Sequence, residues 1–162
     1  MVKEDLLLEL ENETQSTLQV LESLKEEYLD WKPHEKSMSV KALATHIVDL
    51  HNWFSLVLET GELDFQSNYQ PTKADTVAEL IKYLNEGLGK NKRALSAIKE
   101  DDFLTTWTLK VGDQILRQMP KKDTLRYVVN NHIYHHRGQL TVYLRLLDLP
   151  VPGIYGPSAD EK

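Results

Sequence analysis

The stretch LRYVVNNHIYHHRGQLTVYLRLL, residues 125–147, decides how this chain is read. At about 100° per residue, Leu125, Val128, Val129, Leu140, Tyr143, Leu146 and Leu147 gather into one apolar stripe, which predicts a long amphipathic helix. His132 and His136 fall at the centre of that stripe, one helical turn apart on a shared face. Two imidazoles at this spacing can grip a single cation, and neutral imidazole is a common nitrogen ligand for zinc, nickel, copper and iron. The competing reading is a pair of core histidines bonded to neighbouring side chains, since every ring nitrogen placed in a core needs a partner. The helix is expected to open near Pro120, a residue suited to a first helical turn, and to stop before Pro150.

Working outward, three more segments carry helical periodicity. The first is expected over residues 3–30, with Leu7, Leu10, Leu18, Leu21, Leu24 and Tyr28 near one face, and must end before Pro33. The second starts after Ser37 or Ser39, both good N-caps, and runs to about Thr60, with Gly61 as the stop. Its stripe is Val40, Leu43, Ala44, Ile47, Leu50, Phe54 and Leu58. Two histidines lie on this helix, His46 and His51. By wheel position His51 sits nearer the stripe centre and His46 toward its edge, so periodicity leans slightly to His51 as the partner of the pair. The third helix starts near Asp75 or Thr76, where Thr76 and Glu79 have the form of a capping box. Its stripe is Val77, Leu80, Ile81, Leu84, Leu88, Leu95 and Ile98. Gly87 and Gly89 inside it suggest close packing against a neighbour. Between the third and fourth helices, Trp107, Leu109 and Val111 alternate and Gly112-Asp113 offers a turn, so a small hairpin within an extended crossover is expected. The fold class predicted is all-α: one domain over residues 1–162, a four-helix bundle with long crossover loops.

Composition narrows the chemistry. The 162 residues are 41% hydrophobic and 27% charged, with no cysteine and a formal charge of -6. Without thiols there can be no zinc–thiolate site, no iron–sulfur cluster and no cysteine nucleophile. The acidic balance argues against nucleic acid as a partner. Glu4, Asp5 and Glu9 interrupt the leucines of the N-terminus, so no secretory signal is expected, and no run of apolar residues suits a membrane span. The compartment expected is the bacterial cytoplasm. A metallopeptidase helix would need glutamate where Ile133 stands, and no helix supplies the paired Glu-x-x-His motifs of ferritin-like di-iron sites.

NHIYHHRGQL, Asn131 to Leu140, resembles the fourth-helix motif of the DinB/YfiT-like superfamily, the damage-inducible helical proteins that are unrelated to the DNA polymerase sharing the name. Trp31-Lys-Pro33, the helix start at Ser39-Val40 and Ala44-Thr-His-Ile47 resemble that family's W-x-P loop and first-ligand helix. The tail from Val151 to Glu161 is similar to one found in many members. The resemblance implies an up-down-down-up bundle, a homodimer, and one divalent transition metal (zinc, nickel or iron) held by His46, His132 and His136. It thereby overrides the lean toward His51, which becomes a neighbouring or pocket residue, with Trp53 and Tyr155 as further pocket candidates. Relatives of this kind include transferases that act on a small-molecule substrate with a low-molecular-weight thiol as cosubstrate, and proteins assigned as metal-dependent hydrolases. The alternative is a non-catalytic metal-binding protein of stress response.

Overall fold

In the computed structural model, residues 2–161 are described. Four long helices carry the architecture: α1 (Val2–Glu22), α2 (Val40–Glu59), α3 (Val77–Ala97) and a last helix continuous over residues 121–146. That last helix is built from α4 (Lys121–Thr124), a π-helical segment (Leu125–Asn130) and α5 (Asn131–Leu146). Helix α2 packs against α3 and α5, and α1 packs against the same two.

The all-α expectation needs correction. A three-stranded sheet closes one end of the helices, in the order β1 (Glu62–Asp64), β2 (Thr106–Val111), β3 (Gln114–Pro120). The expected hairpin is its β2–β3 pair, and Gly112 takes φ +55 at the turn, a left-handed conformation that glycine adopts without steric cost. Strand β1 pairs parallel to β2, so residues well apart in sequence meet. Asp64 ties the sheet to the following loop: it accepts from the amides of Gln66 and Gly112, each at 2.9 Å, and from the Ser67 hydroxyl at 2.9 Å. The buried Trp107 donates its indole N–H to Thr60 at 3.2 Å, joining the sheet to the end of α2.

The helix ends follow their caps. Ser39 accepts from the Ala42 amide and Thr76 from the Glu79 amide, as expected of N-caps. The return bond of the capping box goes to the Asp75 amide instead of Thr76. Helix α1 is shorter than its periodicity suggests, ending at Glu22 and giving way to turns and a short 3-10 segment, Glu26–Tyr28. Its inward face is Leu6, Leu10, Thr14, Thr17 and Leu21, with Leu7 and Leu18 only partly covered. Two threonines can occupy that face because each hydroxyl donates back to the carbonyl four residues earlier.

On the last helix the buried apolar residues are Leu125, Val129, Ile133, Leu140 and Leu144, joined by Lys121, Thr124, Asn130 and Arg137, whereas Leu146 faces outward. The cause of this departure from the expected stripe is the π segment. It inserts an extra residue per turn, so no single 100° wheel describes both halves. The two histidines of α5 consequently lie half-buried beside the stripe, not at its centre.

Candidate metal centre

Helix α2 presents His46 toward α5, where His132 and His136 occupy consecutive turns. The three rings close into a triangle, with centroids 5.0 Å (His46–His132), 4.8 Å (His46–His136) and 4.6 Å (His132–His136) apart. One nitrogen from each lies within 4.8 Å of the others, and the Nε2 atoms of His46 and His132 are 3.5 Å apart. Two nitrogens bound tetrahedrally at 2.0–2.1 Å to one ion stand about 3.4 Å apart, so modest ring rotations bring this trio to bonding distance.

Two of the three rings are anchored outside the triangle. His136 Nδ1 donates to Gln139 Oε1 at 2.7 Å, leaving Nε2 as its lone-pair nitrogen. The His132 ring bonds the backbone of Val128, one turn earlier. Burial lowers the pKa of all three. It takes His132 to about 4, helped by its neighbours His136, His46 and His135. For His46 the effect of burial is reinforced by His136 and partly offset by Asp49; for His136 it is offset by the Gln139 bond. At neutral pH the trio is therefore uncharged, and each uncharged ring has one lone-pair nitrogen to offer. That donor set suits a borderline transition metal and no hard cation that prefers oxygen.

His51 belongs elsewhere. It is 4% exposed and sits among α1, α2 and α3. The Thr14 hydroxyl is already committed as donor to the Leu10 carbonyl, so it accepts from His51 Nε2 at 2.8 Å, and Asn91 Nδ2 approaches Nδ1 at 3.5 Å. Asn91 also donates to the His51 carbonyl and accepts from the Ser55 amide. This is a closed structural network, and its burial pushes the His51 pKa down to about 4. Trp53 packs on Phe65 and Tyr69 at the wall of a groove between α2, α3 and the 65–75 loop. Tyr155 is joined to Glu13 and Arg137 on the α1 side of α5. His135 is exposed, its ring 4.9 Å from that of His136.

Sequence reasoning passed over two residues beside the trio. Gln139 is three residues after His136, the spacing that brings side chains together on a helix. Asp49 holds the same relation to His46. It is buried and accepts from the Tyr69 hydroxyl at 2.9 Å and the Thr72 amide at 2.7 Å, which fastens the loop against α2.

A sequence model described as the DinB family matches residues 1–162. The chain belongs to the DinB family. Among curated relatives of this DinB-family chain, it is 29% identical over 159 residues to the uncharacterised protein YrdA of Bacillus subtilis, covering 93% of this chain and 86% of that one. It is 27% identical to the uncharacterised protein YjoA of the same species, covering 80% of each. Among crystal structures, a DinB-like protein from Bacillus cereus superposes with TM-score 0.67 at 26% identity, covering 88% of this chain and 91% of that one. The YjoA structure superposes with TM-score 0.72 at 20% identity, covering 98% and 99%, and shows the shared fold. No helix among the described residues is long and apolar enough to cross a membrane.

Proposed function

We propose that this DinB-family protein is a divalent-metal-dependent enzyme acting on a small molecule, with His46, His132 and His136 as the ligands. The observation that carries this reading is the convergence of three uncharged imidazoles from two helices, with His46 and His132 meeting Nε2 to Nε2 at 3.5 Å. Without an ion, one of those two nitrogens can carry the proton and donate to the other, whereas a cation between them would take a lone pair from each. A bound zinc, nickel or iron ion would supply Lewis acidity, lowering the pKa of a water or thiol in an open coordination position. Three ligands leave such a position, the pattern of reactive rather than purely structural sites.

The chain's own residues do the positioning. Gln139 and the Val128 backbone fix ring orientation, and burial keeps the ligands unprotonated. Transfer of a small substrate onto a low-molecular-weight thiol suits a protein that has no sulfur nucleophile of its own. Hydrolysis is the other reaction open to such an ion. A non-catalytic metal-binding role in stress response is favoured by one observation: Asp49, the carboxylate near His46, is already committed to Tyr69 and Thr72 and is not free to act as a base.

We read the helix arrangement as the family's up-down-down-up bundle and the assembly as a homodimer. Val142 and Leu146 are exposed on α5, where Gly138 is also open, and Tyr127 is exposed on the preceding π segment; this outward surface is the one proposed for the second subunit. Tyr134 does not share it, because its hydroxyl turns to Glu9 on α1.

Metal analysis of tag-free protein tests the centre: about one ion per chain supports it, and none after incubation with zinc, nickel and iron removes it. Assays of the loaded protein with thiol–electrophile pairs and with esters and amides then separate transferase, hydrolase and binding protein.

A further inference from the structure

Arg137 follows the ligand His136 on α5 but turns toward α1, and it is 2% exposed. Its guanidinium donates to the Glu13 carbonyl at 3.0 Å and to the Thr17 hydroxyl at 3.3 Å, and it pairs with the Glu13 carboxylate. The rings of Tyr134 and Tyr155 lie against it, with centroids 5.4 Å and 5.5 Å away. One turn earlier, the Tyr134 hydroxyl donates to Glu9 at 2.8 Å. At this level α5 is held between the imidazole trio on its α2 side and a charged tie on its α1 side.

The C-terminal tail closes that tie. Tyr155 accepts from Arg137 and donates to the two oxygens of the Glu13 carboxylate, at 3.1 Å and 2.9 Å. The tail is folded to present it: Asp160 takes Arg145 at 2.7 Å and the Val151 amide at 2.9 Å, and Glu161 takes the Gly153 amide at 2.7 Å. Yet Tyr155 is 74% exposed, and no residue from 151 to 161 is fully buried. A segment held by exposed polar contacts opens at small cost. The tail therefore has a docked and an undocked state, which differ in what Arg137 touches.

We propose that Arg137 is a positioning residue of the metal centre and that Tyr155 is its clasp, so that tail docking and metal binding favour each other. Ligand sets must be held to within about 0.5 Å. A guanidinium fastened to Glu13 and Thr17 sets the rotation of α5 one residue away from His136. The coupling is mutual by linkage: the factor by which docking raises metal affinity is the factor by which metal loading favours docking. The clasp stands on its own contacts, while its effect on the ion rests on the metal-dependent reading above.

The test uses tag-free protein loaded with zinc in competition with a chromophoric chelator, and with cobalt, whose visible spectrum reports ligand geometry. Tyr155→Ala should lower metal affinity about tenfold, within the range of such couplings, and shift the cobalt bands. Tyr155→Phe keeps the ring over the guanidinium and should fall between. Because Tyr155 is exposed, both variants should keep the circular dichroism and melting temperature of the metal-free wild type. Arg137→Lys keeps the charge without the forked contacts and should lose at least as much; should it not fold, the Tyr155 pair decides alone. In the wild type, zinc should slow amide exchange at Val151 and Gly153 by the factor that Tyr155→Ala loses in affinity, and in His132→Ala it should not. Unchanged affinity and cobalt bands in Tyr155→Ala, or tail exchange indifferent to zinc in a wild type that binds it, overturns the coupling alone. A wild type that takes up neither zinc nor cobalt refutes the proposed function, and the coupling falls with it.

Discussion

Gln139 accepts the Nδ1 proton of His136 at 2.7 Å, so this imidazole has its tautomer set by a side chain one turn further along its own helix. Partners of this kind typically change metal affinity by 10–100-fold when removed. Gln139→Leu should weaken metal binding by about that factor while leaving the fold intact, since the side chain is exposed. Competition against a chromophoric chelator measures it, and an unchanged affinity would show that the bond does not orient the ligand.

His135→Ala should leave metal binding nearly intact, whereas His132→Ala should abolish it. His135 is exposed and lies beside the site, its ring in contact with that of His136. Equal losses in the two variants, read by the same competition, would show that the ligand set has been drawn wrongly.

Four helices, two N-caps and the histidine block were legible in the sequence because each rests on local chemistry. Ser39 and Thr76 cap where they stand, and His132 and His136 share a face at any helical phase. What was not legible depends on non-local or irregular structure. The π segment over Leu125–Asn130 shifts the phase of the last helix, which is why Leu144 is buried where Leu146 was expected. The three residues of β1 are too few to show alternation and acquire their structure from β2. The lean toward His51 has its own lesson: a position near the stripe centre reports burial, and His51 is indeed the more buried histidine of α2. Its ring is spent on Thr14 and Asn91, and it was the half-buried His46 that kept a nitrogen facing α5.

The two glycines of α3 should respond oppositely to alanine. A Cβ at Gly87 would lie 2.0 Å from Asn52 Oδ1 and 3.0 Å from His51 Nδ1, so the Asn52 side chain must turn aside while His51 is held by Thr14 and Asn91. At Gly89 the nearest atom is the mobile end of Arg93, at 3.4 Å. Gly87→Ala should cost about 1–3 kcal/mol through overpacking, while Gly89→Ala should gain up to about 1 kcal/mol of helix propensity. Chemical denaturation of both variants checks the pair; a stabilising Gly87→Ala would mean that α2 and α3 are not closely apposed.

Stability of the metal-free protein should fall on acidification, chiefly through His51. Its pKa is about 4 in the folded chain against 6.5 when unfolded. The unfolded state therefore binds the proton first as pH drops. The stabilisation is complete above pH 6.5, is lost between 6.5 and about 4, and declines no further below that. For a residue this buried the loss is of order 3 kcal/mol. His132, also near 4, and His46 and His136, both lowered, act with the same sign. Urea midpoints measured with a chelator at pH 7.5 and 4.5 should differ accordingly. In His51→Gln, which keeps a polar side chain beside Thr14, the midpoint at pH 7.5 should be lower and the difference between the two pH values smaller. The same pH difference in that variant would show that His51 titrates normally and that its network with Thr14 and Asn91 opens to water.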